Sequence, residues 1–168
     1  MNRAIFFDRD GVLNVDVDYL YEVETFSWVD GAREAIKLCN DKGCPAIVIT
    51  NQSGVARGFF TEDDVKILHN FMNDELKKIG AYIDAFYYCP HHPKGIVPPY
   101  NTICDCRKPA PGMILQACRD FNIDVKNSFM IGDRQRDIEC GINAGCRESF
   151  LFDGKGNLFD LVKKILEK

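Results

Sequence analysis

The chain has 168 residues, 46% of them hydrophobic and 27% charged, with a net charge of −4. That is the length of one domain with room for a core, so a single domain over 1–168 is expected. The acidic balance, without a basic stripe, argues against nucleic acid as the main partner, and no stretch is long and apolar enough to span a bilayer, so no membrane partner is expected either. The sequence enters its first strand without a signal-peptide pattern, which points to a cytoplasmic protein.

In chain order, strands and helices alternate. Ala4–Phe7 reads as a short buried strand, and Asp8-Arg9-Asp10-Gly11 follows it. Asn14–Trp28 is irregular, polar and aromatic. Gly31–Asp41 has helical periodicity and stops at Gly43. Ala46–Thr50 is a second buried strand. Glu62–Ile79 is a long amphipathic helix, with Thr61 as its N-cap and acidic residues in its first turn. Phe86–Tyr88 is a third strand, Gly112–Phe121 a helix after a Pro-rich entry, and Phe129–Ile131 a fourth strand running into Gly132-Asp133. Asp137–Ala144 is a short helix and Ser149–Phe152 a fifth strand. Asn157 caps a last helix ending near Leu166, with Asp160 at its third position. This βαβα order predicts an α/β fold: a doubly wound, mostly parallel sheet with helices on both faces. Cys89 to Pro111 is long and irregular, and a loop of that length in a compact domain is functional or tied down.

Catalytic groups gather at the carboxyl ends of such strands. Asp8 and Asp10 stand there, two residues apart, with Gly11 allowing a turn. Two neighbouring carboxylates can hold a divalent cation, or divide into a nucleophile and an acid/base; a polar turn is the plainer reading of the tetrapeptide alone. Thr50-Asn51-Gln52-Ser53-Gly54 follows the second strand and could hydrogen-bond a phosphoryl oxygen, although it is also a good turn. Arg107 and Lys108 precede a helix: Lys108 could neutralise a phosphoryl group and Arg107 could clamp a second anionic group. Asp133, after the fourth strand, could complete a Mg2+ site with Asp8. Asp137 suits equally an outer partner of that site or a helix N-terminal charge.

Eight cysteines are many for a chain without need of disulfides. Cys89-Pro90-His91 and Cys104-Asp105-Cys106 supply a Cys3His set that suits tetrahedral Zn2+ with no open position, so a structural zinc is expected on Cys89, His91, Cys104 and Cys106. Cys39, Cys118 and Cys140 lie within helical patterns and read as small buried apolar residues.

Taken together, Asp8-Arg9-Asp10-Gly11, Thr50, Lys108 and Gly132-Asp133-Arg134-Gln135-Arg136-Asp137 resemble the ordered motifs of the haloacid dehalogenase-type phosphatases. Thr50-Asn51-Gln52-Ser53-Gly54, Cys89-Pro90-His91-His92-Pro93 and Cys104-Asp105-Cys106-Arg107-Lys108-Pro109 extend the resemblance to the D-glycero-D-manno-heptose 1,7-bisphosphate 7-phosphatase family, over nearly the whole chain. The histidinol-phosphate phosphatases share the zinc site and the Arg-Lys-Pro step. They, or a broader small-metabolite phosphatase, are the alternative.

The resemblance implies Asp8 as nucleophile and Asp10 as acid/base. It implies Mg2+ on Asp8, Asp133 and the backbone carbonyl of Asp10, and Thr50 and Lys108 as stabilisers of the phosphoryl group. It places Arg9, Asp16, Val17, Asp18, Tyr19, Asn51, Gln52, Ser53, Arg107 and Arg134 against the substrate, a small phosphorylated sugar. Arg134 stands where Lys is common. At this length no separate cap domain is expected, and a monomer is the simplest state.

Overall fold

A computed structural model describes residues 2–168. Strands β1 (Ile5–Phe7), β2 (Ala46–Asn51), β3 (Ala85–Cys89), β4 (Phe129–Gly132) and β5 (Glu148–Leu151) form one sheet in the order β3-β2-β1-β4-β5. Every neighbouring pair is parallel, with Phe7 set beside Val48 on one side and Ile131 on the other. Parallel pairing follows from the connections. Each strand leads through a helix to the next, and no two strands are joined by a hairpin.

The helices are α1 (Ala32–Asp41), α2 (Glu62–Lys77), α3 (Gly112–Phe121), α4 (Gln135–Ala144) and α5 (Leu158–Leu166). Side chains alternate across the central strands. Ile5 and Phe7 of β1 join Ala32, Ile36, Met72, Leu76, Val162 and Ile165 in a core under α1, α2 and α5. Phe6 joins Met113, Ile114, Ala117 and Cys140 under α3 and α4 on the opposite face. The sheet is therefore covered on both sides, as its unbroken apolar strands require.

Element boundaries differ from expectation by one or two residues, with identifiable causes. β3 reaches Cys89 because the parallel ladder with β2 continues to the pair Asn51 and Cys89. α4 begins at Gln135 because the Asp137 carboxylate accepts the backbone N–H groups of Asp133 and Arg134, which makes Asp137 a capping residue inside the first turn. Thr61 and Asp64 form a reciprocal capping box at the start of α2, and Asn157 accepts the Phe159 N–H at the start of α5. The irregular segment 14–28 contains one short 3-10 turn, Val23–Thr25. It is tied down by isolated bridges from Asn14 to Asp10 and to Trp28.

The chain runs outward from β1 through β2 to β3, then returns to the other side of β1 for β4 and β5. That reversal opens a crevice at the carboxyl ends of β1 and β4. Among the described residues no helix is long and apolar enough to cross a membrane.

Candidate active site

The first side chain beyond β1 is Asp8, 5% exposed. Its Oδ1 accepts a hydrogen bond from Lys108 Nζ at 2.9 Å and one from the Arg9 N–H at 2.8 Å. Lys108 is equally buried. Its ammonium also donates to the Ile49 carbonyl at the end of β2 (2.8 Å) and pairs with Asp137 Oδ1 at 2.6 Å. A cation is thus wedged between two strand ends and a helix start. Asn51 fixes its backbone: Asn51 Oδ1 accepts the Lys108 N–H and Asn51 Nδ2 donates to the Lys108 carbonyl.

Asp133 completes the group. Carboxylate oxygens of Asp8, Asp133 and Asp137 lie within 4.8 Å of one another. Two glycines allow this crowding. A Cβ on Gly11, whose φ is +87°, would fall 2.2 Å from Asp133 Oδ2, and one on Gly132 would fall 2.0 Å from Asp137 Cβ. Burial drives the Asp8 carboxyl well above its usual pKa; Lys108 opposes the rise and Asp137 adds to it. Burial likewise raises Asp133, with Asp137 contributing like charge. Three carboxylates against one buried ammonium form a hard, oxygen-rich donor set with surplus negative charge, which fits a divalent cation such as Mg2+. Asp137 has Oδ1 committed to Lys108 and Oδ2 to backbone N–H groups, so Asp8 and Asp133 are the carboxylates free to ligate.

Asp10 is held quite differently. Its carboxylate accepts from Arg9 Nη2 (3.0 Å), Asn14 Nδ2 (2.9 Å) and Gln52 Nε2 (3.1 Å). Burial alone would raise this group, but the Arg9 guanidinium and the two amides outweigh it and hold the carboxyl below its ordinary range. Gln52 Nε2 also donates to Thr50 Oγ1 at 2.9 Å, which ties the end of β2 to the acid pair.

Beside these buried groups lies an open cavity of about 250 Å³. Asp10, Asp16, Asp18, Tyr19, Asn51, Gln52, Ser53, Arg107 and Arg134, all expected near substrate, line it. Asp18 and Tyr19 have positive φ (53° and 55°), so the tip of the flap over this cavity is a strained turn. Arg107 turns a buried Nη1 that has no hydrogen-bond partner. Arg134 reaches Asp16 Oδ2 at 3.7 Å and Asp133 Oδ2 at 3.6 Å.

Two expected contacts fall elsewhere. Arg9 is wholly buried, with its guanidinium occupied by Asp10, the Leu20 carbonyl and His69, so it presents no surface to a ligand. Val17 is exposed on the flap and does not line the cavity. Sequence reasoning missed Arg57 and Arg136, which do. Arg136 belongs to the run Gly132–Asp137 already singled out, where it is a second cation beside Arg134, whereas Arg57 lies three residues beyond the run 50–54 and had no such signal. His69 was also missed; nothing local marks a histidine on the buried face of a helix as an active-site neighbour.

The metal-ligand set of the long loop also assembles. Sγ of Cys106 lies 2.9 Å from that of Cys89 and 3.4 Å from that of Cys104, which is itself 3.4 Å from Cys89. His91 Nδ1 is 3.4 Å from Cys106 Sγ and 3.6 Å from Cys89 Sγ. Four ligands on a tetrahedral Zn2+ would stand about 3.5–3.8 Å apart, so the donors are nearly in place. Hydrogen bonding from Cys89 pulls the Cys106 thiol down to about 5, toward the thiolate that a metal binds. Cys39 and Cys140 are buried and Cys118 is half-buried, in keeping with apolar roles.

Comparison with known proteins points the same way. The Hydrolase_like family, HAD-hydrolase-like, matches residues 105–165. A D-glycero-beta-D-manno-heptose-1,7-bisphosphate 7-phosphatase from Pasteurella multocida is 44% identical over 90% of this chain and 82% of its own. A D-glycero-alpha-D-manno-heptose-1,7-bisphosphate 7-phosphatase from Photorhabdus laumondii is 42% identical over 89% and 81%. The crystal structure of a D,D-heptose 1,7-bisphosphate phosphatase from B. bronchiseptica, complexed with magnesium and phosphate, superposes with a TM-score of 0.85 at 29% identity, over 98% of each chain. With relatives above 40% identity over most of both chains, and this fold, the chain belongs to the D-glycero-D-manno-heptose-1,7-bisphosphate 7-phosphatase family of HAD-like hydrolases.

Proposed function

We propose that this protein is a Mg2+-dependent phosphatase that removes the 7-phosphate of D-glycero-D-manno-heptose 1,7-bisphosphate through an aspartyl phosphate. The observation that carries the mechanism is the contrast between two carboxylates of one turn. Asp8 meets a single ammonium and keeps an oxygen for attack, whereas both oxygens of Asp10 are held by fixed donors. Burial alone would keep Asp8 protonated, but Lys108 and a bound Mg2+ would favour the charged carboxylate that attacks.

In the first step Asp8 attacks phosphorus, the bond from phosphorus to the sugar oxygen breaks, and Asp10 gives that oxygen a proton. A phosphoryl dianion docked beside Asp10 is like charge that raises its proton affinity, which lets a carboxylate at rest act as the acid. In the second step Asp10 takes a proton from water, the water oxygen attacks phosphorus, and Asp8 leaves with its carboxylate restored. Lys108, bonded to Asp8, and Thr50, bonded to Gln52, would stabilise the transferring group. Mg2+ held by Asp8, Asp133 and the Asp10 carbonyl would supply positive charge to the phosphoryl oxygens. Zn2+ on Cys89, His91, Cys104 and Cys106 would brace the loop that delivers Arg107 and Lys108. Arg107, which lines the cavity together with Arg57 and Arg136, suits the second phosphate.

The test is phosphate release from both heptose bisphosphate anomers and from histidinol phosphate, with and without Mg2+. The expected result is Mg2+-dependent turnover of a heptose bisphosphate, abolished in Asp8→Asn. Preferential turnover of histidinol phosphate would overturn the substrate assignment.

A further inference from the structure

The wholly buried Arg9 is a cation inside a family active site that makes no ligand contact. Its planar fork has three destinations. Nε and Nη2 donate to Asp10 Oδ1 at 3.3 and 3.0 Å, with Nη2 also 3.2 Å from Oδ2. Nη2 donates to the Leu20 carbonyl at the base of the flap at 3.0 Å. Nη1 lies 3.3 Å from His69 Nε2. A guanidinium has donors only, so His69 must accept there and is the neutral tautomer with its proton on Nδ1. His69 is itself fixed. It is 5% exposed on the inner face of α2, and its ring stacks on Phe86 of β3 at 4.3 Å between centroids, with 14° between planes.

We infer that His69 is a positioning residue for the acid/base. By accepting from Arg9 it sets the guanidinium plane, and that plane sets the Asp10 carboxylate against the leaving oxygen. The same guanidinium anchors the flap through Leu20, so one buried cation holds both the acid and the segment over the substrate. The inference rests on the assignment of Asp10 as the acid. A general acid matters only while its proton lies in line with the departing oxygen. Its displacement therefore slows esters of poor leaving groups and spares esters of good ones.

The experiment compares kcat/KM, which reports alcohol expulsion, for heptose bisphosphate and for p-nitrophenyl phosphate. Asp10→Asn is measured first. It should lose far more activity on the sugar than on the aryl ester, and equal losses would overturn the assignment of Asp10 on which the inference rests. His69→Phe keeps the stack on Phe86 but offers Arg9 no acceptor. It should lose about 10-fold or more on the sugar phosphate and less than about 3-fold on p-nitrophenyl phosphate. His69→Gln, which restores an acceptor, should recover most of the sugar-phosphate activity. Arg9→Lys keeps the charge without the fork and should repeat the His69→Phe pattern, even if His69→Phe does not fold. With Asp10→Asn behaving as expected, equal losses on both esters in a folded His69→Phe or Arg9→Lys would reduce His69 to a packing residue. An unchanged rate on both would dismiss the inference outright.

Discussion

Lys108 is buried with its ammonium between Asp8 and Asp137, so its removal strands two carboxylates without a counter-charge. Breaking a buried pair on one side costs about 3–5 kcal/mol. Lys108→Met should therefore unfold at markedly lower urea in EDTA, regain part of that loss when Mg2+ is added, and lose at least ~10²-fold in kcat/KM. His69 gives a pH dependence of stability. Burial, with the charge of Arg9 adding, depresses its pKa from 6.5 to about 3, while nearby Asp10 opposes the fall. The native state thus refuses a proton that the unfolded chain accepts. The resulting stabilisation is complete above about pH 6.5 and is lost as pH falls toward 3, amounting to about 2 kcal/mol by pH 5. Urea denaturation at pH 7.5 and 5 should show this loss in the wild type and a smaller one in His69→Gln; parallel losses would contradict it. Residue types and spacing made Asp8, Lys108 and Asp133 visible in the sequence, because each follows a strand or enters a helix. Orientation was not visible. Arg9 reads as one more polar residue of the crevice until its partner, sixty positions away on α2, turns it inward.

At the scale of elements, the loop carrying the Cys3His cluster connects β3 to α3 and supplies both Arg107 and Lys108. Cys89 closes the β2–β3 ladder, while Cys104 and Cys106 immediately precede the two cations. Ordering these donors on a metal contributes on the order of 10 kcal/mol to local folding. Stripping zinc should then raise amide hydrogen exchange across 89–108 and lower turnover, while β1 and β4 keep their protection. Unaltered exchange in that loop after verified metal loss would contradict a structural role for zinc. The loop has a second anchor in Glu62 of α2, whose two oxygens accept from Tyr88 (2.7 Å) and Tyr100 (2.6 Å). That anchor leaves the metal-free loop attached at its middle. The sequence revealed the ligand set through two tight pairs. It concealed the tyrosine anchor, because nothing in local spacing links Glu62 to residues 26 and 38 positions away. Parallel pairing with helices on both faces followed from the alternation of elements. The one-residue extension of β3 to Cys89 and the two-residue shift of α4 did not, since they depend on a ladder partner and on a capping side chain.

For the whole molecule, the distribution of charge matters more than its sum. The chain carries a net charge of −4, yet Arg57, Arg107, Arg134 and Arg136 surround a single cavity of about 250 Å³. Arg134 reaches Asp16 and Asp133 and Asp10 pairs with Arg9, which leaves three guanidiniums against the Asp18 carboxylate to set the local sign. Burial, with the neighbouring charges of Arg136 and Arg57 adding, depresses the Arg107 pKa. A concave cluster of cations focuses the field on its mouth and raises the encounter rate of anions. The effect grows with substrate charge and is screened over about 10 Å at 0.1 M salt. Hence kcat/KM for a heptose bisphosphate should fall several-fold between about 0.02 and 0.2 M salt, and more steeply than that for p-nitrophenyl phosphate. Arg136→Gln should flatten the bisphosphate slope and raise its KM, with a smaller change for the aryl monoester, because Arg136 belongs to the cavity wall and not to the Asp8–Lys108 centre. Identical salt slopes for the two substrates would mean that the arginines serve solubility or folding and leave the second phosphate to other groups. A bisphosphate-specific slope that Arg136→Gln does not alter would assign the field to Arg57 and Arg107 alone.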